Sequence, residues 1–283
     1  MIVDAQVHVW KADTPERPWA YGPPHLPEPF GYEDLLHEMK AANVDGAVLI
    51  PPGWEGGRID FALEGARRHP DRFAVMGRIP VHKREEAAPL LPGWRRQHGM
   101  LGIRLAFQKK ANARYLTDGT ADWFWPEAEK HAIPVMIFAP GKNAEIRAIA
   151  AAHPKLKLIV DHMNLRREQD AAAIAAIEDL CALAECANVH VKVSSVPLYS
   201  SEPYPYRNLH DPLRRLIGAF GPERSFWGTD ITRIWSRATY RQCVTAFTEE
   251  LTFLSADDLD WVMGRGLLRC LRSEEHTSEL QSH

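Results

Sequence analysis

The chain has 283 residues, of which 45% are hydrophobic and 25% are charged, with a formal net charge of −3. This length exceeds the usual ~100–200 residues of one domain, but an α/β barrel often reaches about 250 residues as a single unit. The balanced charge, without a basic block, argues against nucleic acid or an anionic membrane as the main partner. No apolar run approaches the roughly 18 residues of a membrane span. The chain has four scattered cysteines without a CxxC pair: Cys181, Cys186, Cys243 and Cys270. This pattern predicts reduced thiols in a cytoplasmic protein.

The last twelve residues, 272–283, differ from the rest of the chain. They resemble the in-frame translation of a sequencing-adapter oligonucleotide and show neither helix nor strand periodicity. We interpret them as a non-native, disordered tail and leave His276 and His283 out of every candidate ligand set. The barrel domain is therefore predicted over residues 1–271.

Short aliphatic and β-branched runs alternate with amphipathic stretches along the whole chain. Strands are predicted at residues 2–9, 46–50, 73–79, 101–105, 135–138, 156–161, 189–194 and 225–228. Helices are predicted at residues 32–42, 59–69, 85–97, 122–131, 143–153, 170–187, 209–220 and 239–249, with an extra C-terminal helix at 257–271. Eight such units predict a parallel sheet, and a closed (β/α)8 TIM barrel leaves no edge exposed. The alternative, a doubly wound open sheet, would favour a glycine-rich loop after the first strand, and the sequence has none there. The segment 11–31 instead carries six prolines, which predicts a stiff cover over the barrel mouth.

Polar residues alternate with apolar ones on the first predicted strand. Asp4, Gln6 and His8 alternate with Val3, Ala5, Val7 and Val9. Because successive side chains of a strand point to opposite faces, we expect the apolar set to face the helices and the polar set to face the barrel interior. Burying such groups costs a few kcal/mol each unless they are paired, so a functional role is the favoured reason for them.

Four other strands are predicted to bring polar side chains to the same rim, where barrel enzymes have their active sites. By alternation, His162 shares an inward face with Leu158 and Val160, and Asp230 shares one with Phe226 and Gly228. Lys192 lies deeper and is interpreted as the partner that neutralises Asp4. The complete set from these strands is Arg104, His162, Lys192, Ser194 and Asp230.

Five motifs resemble those of the amidohydrolase-related family. They are Asp4-Ala-Gln-Val-His8-Val-Trp10, Gly102-Ile-Arg104, Val160-Asp161-His162, Val191-Lys-Val-Ser194 and Trp227-Gly-Thr-Asp230. The family includes lactonases that act on pyrone dicarboxylate or sugar lactones, and decarboxylases. The resemblance implies a (β/α)8 barrel with hydrolytic or decarboxylating chemistry at its mouth. It also implies metal-ligand or catalytic roles for His8, His162 and Asp230, and a role for Arg104 in holding an anionic substrate.

One position departs from the family pattern. The family's first strand typically reads His-x-His, whereas this chain has Gln6 in place of the first histidine. An amide is a poor zinc ligand beside imidazole. Two interpretations stay open: His8, His162 and Asp230 hold one divalent ion such as zinc, or the site works without a metal.

The favoured function is a hydrolase that opens a lactone or cyclic ester from sugar-acid or aromatic-acid breakdown. Such chemistry needs a base, hydrogen-bond donors for the carbonyl oxygen and a cation that orients the substrate. The base is Asp230, the donors are His8, His162 and Gln6, and the substrate-binding residues are Arg104, Arg207 and Ser194. An internal ion pair of Arg104 with Asp230 or Glu127 is the alternative for that arginine.

Two other functions are weighed against the lactonase. A metal-dependent decarboxylase of the same family would depend more heavily on an ion, so Gln6 counts against it. A degenerate barrel would bind a ligand without turnover. The expected partner is a small-molecule substrate in each case, and barrels with an extra closing helix often form homodimers.

Overall fold

A computed structural model describes residues 1–20, 22–26 and 28–272, so the predicted tail beyond Arg272 lies outside the described residues. Eight parallel strands follow one another in a single sheet, each paired with the next, which confirms the predicted barrel order. The strands are β1 (Val3–Val7), β2 (Gly46–Leu49), β3 (Phe73–Gly77), β4 (Met100–Ala106), β5 (Val135–Phe138), β6 (Leu158–Val160), β7 (Val189–Ser194) and β8 (Ser225–Gly228).

Helices connect the strands and cover the outside of the barrel. The α-helices are α1 (Tyr32–Ala42), α2 (Asp60–Arg68), α3 (Arg84–Ala87), α4 (Lys110–Ala113), α5 (Phe124–Lys130), α6 (Asn143–Ala152), α7 (Asp170–Cys181), α8 (His210–Phe220), α9 (Ile231–Ile234), α10 (Tyr240–Thr245), α11 (Ala256–Asp260) and α12 (Gly266–Leu271). Short 3₁₀ segments occupy Gly53–Glu55, Ala88–Arg96, Arg114–Leu116, Asp161–Asn164, Ala182–Glu185, Val196–Leu198, Arg207–Leu209 and Pro222–Arg224. Two π-helical turns occupy Ala246–Glu250 and Trp261–Arg265.

Two predicted helices are interrupted at a proline or a glycine. The segment predicted as a helix at 85–97 is one α-helical turn followed by the 3₁₀ segment Ala88–Arg96, since Pro92 inside it cannot donate a backbone hydrogen bond. The predicted closing helix at 257–271 consists of α11, a π-helical turn and α12. The break falls at Gly264, which lies so close to β1 that a Cβ atom there would be 2.7 Å from the carbonyl oxygen of Met1.

The interior of the barrel has its own small apolar cluster, separate from the layer between strands and helices. It contains one or two side chains from most strands, and α12 closes it from the amino-terminal end with Leu267, Cys270 and Leu271. The predicted extra C-terminal segment therefore plugs the bottom of the barrel. The carboxyl ends of the strands remain for the polar side chains.

The predicted alternation of β1 is only half correct. Val3 and Ala5 lie in the interior cluster, whereas Val7 and Val9 lie in the outer one. The register to β2 shifts between Asp4 and Val7, and the Asp4 carboxylate accepts the Gln6 backbone N–H at 2.9 Å. This bulge reverses the alternation, because one extra residue moves every later side chain to the opposite face. Asp4 thus faces the outer layer, while Gln6 and His8 face the interior as predicted.

Asp4 instead joins the first and last strands. Its carboxylate accepts the Thr229 backbone N–H at 2.9 Å, the Thr229 hydroxyl and, at 2.8 Å, the hydroxyl of Tyr240 on α10. We call the junction between β1 and β8 the seam. One backbone hydrogen bond, from the Asp230 N–H to the Gln6 carbonyl oxygen at 2.8 Å, also crosses it. A buried carboxylate therefore replaces part of the backbone ladder where β8 meets β1.

All four cysteines are free thiols in the structure. Among the described helices, none has both the length and the apolar character that crossing a membrane requires.

Candidate functional site

Three predicted side chains meet at the carboxyl end of the barrel. His8 Nε2 lies 3.5 Å from Asp230 Oδ1, and His162 Nε2 lies 3.9 Å from Asp230 Oδ2. All three residues are buried. We call His8, His162 and Asp230 the central triad. The predicted convergence of β1, β6 and β8 on one small space is confirmed.

The backbone leaves the strands abruptly to form the central triad. Val160 ends β6 and lies in the outer apolar cluster, so strict alternation would place His162 on the helix side as well. His162 instead adopts a left-handed conformation with φ +52°, and Asp230 does the same after β8 with φ +55°. Few non-glycine residues adopt this region, and such residues concentrate at functional sites. The predicted inward direction of His162 is correct, but its reason is a turn and not the strand period.

His8 is held in one tautomer. Its Nδ1 lies 2.6 Å from the Ile50 carbonyl oxygen, which can only accept, so Nδ1 carries the proton and neutral His8 presents a lone pair at Nε2. Gln6 Nε2 lies 3.3 Å from that lone pair and donates to it. The amide of Gln6 is fixed in this orientation because its Oε1 accepts from Lys192 Nζ at 2.5 Å.

Lys192 pairs with Asp161, and the predicted pairing of Lys192 with Asp4 is wrong. The Lys192 ammonium lies 2.6 Å from Asp161 Oδ1, and Arg104 Nε donates to Asp161 Oδ2 at 2.9 Å. The reason is the bulge in β1, which turns Asp4 away from the interior. Asp161 also replaces the two partners considered for Arg104, Asp230 and Glu127. Its position inside the motif Val160-Asp161-His162 was the signal that sequence reasoning passed over.

Two serines hold His162 from the other side. The hydroxyls of Ser194 and Ser195 lie 2.8 Å and 3.0 Å from His162 Nδ1, and the Ser195 hydroxyl also lies 3.4 Å from Asp230 Oδ2. Ser194 was predicted at this rim, but as a substrate contact. Ser195 was not predicted, because it enters the site only through its own left-handed conformation, with φ +61°.

Burial shifts the pKa values of all three side chains of the central triad away from those of free side chains. Burial raises the pKa of Asp230 to about 7, and the surrounding cations offset only part of that rise. Burial lowers the pKa values of His8 and His162 well below their usual range. Both histidines are therefore neutral at pH 7, where Asp230 is poised to exchange a proton.

The covering segment contributes to the site. His25 Nδ1 lies 3.0 Å from the Thr232 hydroxyl, and its ring meets those of His8 and Trp54 edge-on at centroid distances of 5.4 Å and 4.7 Å. Burial lowers the pKa of His25 to about 4. The proline-rich segment thus places a neutral imidazole beside the central triad, where it packs against His8 and against Trp54 of the 3₁₀ segment Gly53–Glu55.

Arg207 is the predicted site residue that the structure does not bring to the triad. Its side chain is 72% exposed and lies 3.7 Å from Glu250. Arg104, in contrast, is buried, and its guanidinium lies over the ring of Phe138 at 5.7 Å. Of the three guanidinium nitrogens of Arg104, only Nε has a hydrogen-bond partner among the residues that the structure describes.

The donor set does not fit a preassembled metal centre. The described ranges contain no group of three or more His, Cys, Asp or Glu residues arranged to hold a metal ion. The lone pair of His8 Nε2, which a metal would need, accepts from the amide of Gln6 instead. Where a histidine at position 6 would add a ligand, Gln6 adds a competing donor.

Comparison with known proteins places the chain in a family. The amidohydrolase family model matches residues 3–265, nearly the whole chain, so this protein belongs to the amidohydrolase family. A curated relative, L-fucono-1,5-lactonase from Burkholderia ambifaria, is 24% identical over 236 residues, which cover 81% of this chain and 79% of the relative.

Solved structures share the fold at low sequence identity. An amidohydrolase from Burkholderia multivorans with bound zinc superposes with a TM-score of 0.80 at 20% identity, covering 96% of this chain and 99% of the other. A probable 2-pyrone-4,6-dicarboxylic acid hydrolase from Acinetobacter baumannii, with citric acid bound, has a TM-score of 0.74 at 16% identity and covers 95% and 98%. These likenesses support the barrel architecture.

Proposed function

We propose that this protein is a lactone hydrolase that uses Asp230 as its general base. The observation that carries the proposal is the state of that carboxylate. It is buried, its pKa is about 7, and its Oδ1 has no hydrogen-bond partner among the described residues. A base poised near neutral pH with an unshared acceptor oxygen is suited to take a proton from water.

The remaining polar groups supply the other requirements of ring opening. Water attacks the lactone carbonyl carbon while Asp230 takes its proton, and the oxyanion forms beside His162 and the unpaired N–H groups of Arg104. Asp230 then returns the proton to the ring oxygen as its bond to the carbonyl carbon breaks, giving a hydroxy acid. His8 does not serve as the predicted donor to the oxyanion, because its Nδ1–H is held by Ile50 and its Nε2 accepts from Gln6.

The relatives support the same reaction class from a different direction. The curated relative is named a lactonase, and a structural neighbour is described as a hydrolase of a pyrone dicarboxylic acid. A metal-dependent decarboxylase is the weaker candidate, because Gln6 competes for the His8 lone pair. Elemental analysis of the purified protein, compared with turnover before and after a chelator, separates the two candidates.

Asp230→Asn tests the proposal directly. We expect kcat/KM on a responsive lactone to fall by at least about two orders of magnitude, the scale of general-base catalysis. In the wild type, kcat/KM should rise with pH through about 7, because only the ionised carboxylate accepts a proton.

The stability of the Asp230→Asn variant shows whether any loss of activity reflects unfolding. The raised pKa means that the folded protein binds a proton that the unfolded chain releases near pH 4, so ionised Asp230 destabilises the fold as pH rises toward 7. Asparagine removes this cost, and the variant should be at least as stable as the wild type at pH 8. Full activity in a stable Asp230→Asn variant would refute the proposed base.

A further inference from the structure

Arg78 lies beside the central triad and has no role in the mechanism described so far. It follows β3 directly, at the same rim as the central triad. Its Nε donates to the Pro51 carbonyl oxygen at 2.5 Å, and the preceding carbonyl, that of Ile50, holds His8 Nδ1 at 2.6 Å. Two consecutive carbonyls after β2 therefore position a catalytic imidazole and an arginine side by side.

The charges around Arg78 do not balance. No carboxylate of the described residues lies within 4.0 Å of it, and Asp161, the carboxylate whose charge acts on Arg78, is already shared by Lys192 and Arg104. Burial, with a smaller contribution from Arg104, lowers the pKa of Arg78 to about 9, so it stays charged at neutral pH. Arg233 adds a further cation 3.9 Å from Asp230. Four cations thus lie around two carboxylates, of which Asp230 is partly protonated. A partly buried surplus of positive charge is costly unless an anion completes it.

The hydrogen bond of Arg78 to Pro51 uses Nε and leaves the outer edge of the guanidinium for a ligand. Nε is committed to Pro51, whereas neither Nη group has a partner among the described residues. Those N–H groups match the geometry of a carboxylate. Arg104 is held in the same way, through Nε alone.

We propose that Arg78 binds a carboxylate substituent on the substrate ring, so that the substrates are carboxylated lactones and the products are dicarboxylates. This inference rests on the proposed lactonase function and specifies its substrate class. Arg78 holds the carboxylate already present, and Arg104 faces the one that ring opening creates. An uncharged lactone would leave Arg78 unpaired in the complex, and the site would therefore discriminate against it.

Binding of simple anions tests the inference without turnover. Dicarboxylates from malonate to glutarate would be titrated by calorimetry, with acetate, propionate and butyrate as matched monocarboxylates. The wild type should bind the best dicarboxylate at least about tenfold more tightly than its monocarboxylate match, as expected for one charge-assisted bidentate pair. Arg78→Met should remove that preference, and Arg78→Lys should keep part of it.

The control is Arg215→Met, an arginine on α8 that is 49% exposed and pairs with Glu178. It should bind all anions as the wild type does. Equal affinity for dicarboxylates and monocarboxylates, no binding of either, or an unchanged preference in a folded Arg78→Met variant would each overturn the inference.

Turnover separates this inference from the proposed function. Paraconate, a carboxylated five-membered lactone, and its carboxamide are a matched pair. Arg78→Met should lower kcat/KM for paraconate at least about tenfold more than for the carboxamide, mainly through KM. If no lactone is hydrolysed while the dicarboxylate preference depends on Arg78, the lactonase function fails and the anion site remains. Hydrolysis that favours the carboxamide would overturn only the substrate class.

Discussion

Asp230 and Asp161 are buried carboxylates at one rim, but their surroundings give them different protonation states. Burial by itself raises the pKa of each. For Asp161, Lys192 and Arg104 outweigh burial and hold the pKa below its usual range, whereas for Asp230 burial outweighs the more distant cations and the pKa is about 7. The closest cation to Asp230 is Arg233, at 3.9 Å. One carboxylate is thus a permanent anion that orients two cations, and the other can exchange protons.

Gln6→His tests whether one further imidazole would complete a metal-binding site at the central triad. The substitution would remove the amide that donates to His8 Nε2 and add an imidazole beside the central triad. We expect zinc retained after incubation and desalting to rise toward one ion per chain, measured by elemental analysis.

Gln6→Ala is the matched control, since it frees the His8 lone pair without adding a ligand. Zinc retention by Gln6→His alone would identify the added imidazole as decisive. The same low zinc content in the wild type and both variants would argue against a latent metal site.

At the scale of the element, departures from regular strand geometry place the chemistry. The bulge in β1 sends Gln6 and His8 inward, and left-handed residues after β6, β7 and β8 turn His162, Ser195 and Asp230 into the same space. The left-handed residues lie at the carboxyl ends of their strands, whereas the bulge lies within β1. The strands supply a rigid base, and the first residues after them supply the direction of each functional side chain.

Gly102 tests how tightly β4 must approach its neighbours. A Cβ atom there would lie 2.3 Å from the Pro134 carbonyl oxygen and 2.9 Å from Met76 Cε. Because the backbone oxygen cannot move aside cheaply, Gly102→Ala should lower the free energy of unfolding by about 1–3 kcal/mol or more. Denaturant titration would measure the change.

Gly218, in the last turn of α8, is the matched control. A Cβ atom at this position meets nothing within 4 Å. Gly218→Ala should raise the free energy of unfolding by about 0.5–1 kcal/mol, because alanine favours a helix interior. A stable Gly102→Ala protein would show that β4 and β5 can separate without cost.

At the scale of the whole molecule, the barrel closes through a side chain. The Asp4 carboxylate joins β1 to Thr229 after β8 and to Tyr240 on α10. Residues separated by more than 220 positions in the chain therefore meet at one buried anion. The seam adjoins the site, since the backbone hydrogen bond from Asp230 to Gln6 belongs to it.

Tyr240→Phe tests this closure. It removes a hydroxyl that donates to the buried Asp4 carboxylate at 2.8 Å, so thermal and denaturant unfolding should report a loss of about 1.5–3 kcal/mol. Tyr32→Phe is the comparison, because Tyr32 donates at 2.9 Å to Glu64, which is 30% exposed and can be solvated. Equal losses in the two variants would mean that the seam has no special weight.

The sequence by itself determined the order of eight strands and the convergence of His8, His162 and Asp230. The strand order succeeds because apolar periodicity is local. The convergence succeeds because parallel strands in a barrel all end at one rim, although His162 reaches it through a turn. The sequence also pointed to Gln6 as the departure from the family pattern.

Only the tertiary structure decided which face Asp4 occupies and which carboxylate pairs with Lys192. A bulge and a left-handed turn are stabilised by hydrogen bonds to residues far away in the chain, such as Thr229 for Asp4, and a residue period carries no information about them. The same holds for Arg78, whose importance depends on the charges that three other strands bring beside it. The succession of strands along the chain follows from local periodicity, whereas the electrostatics of the site arise only when the barrel closes.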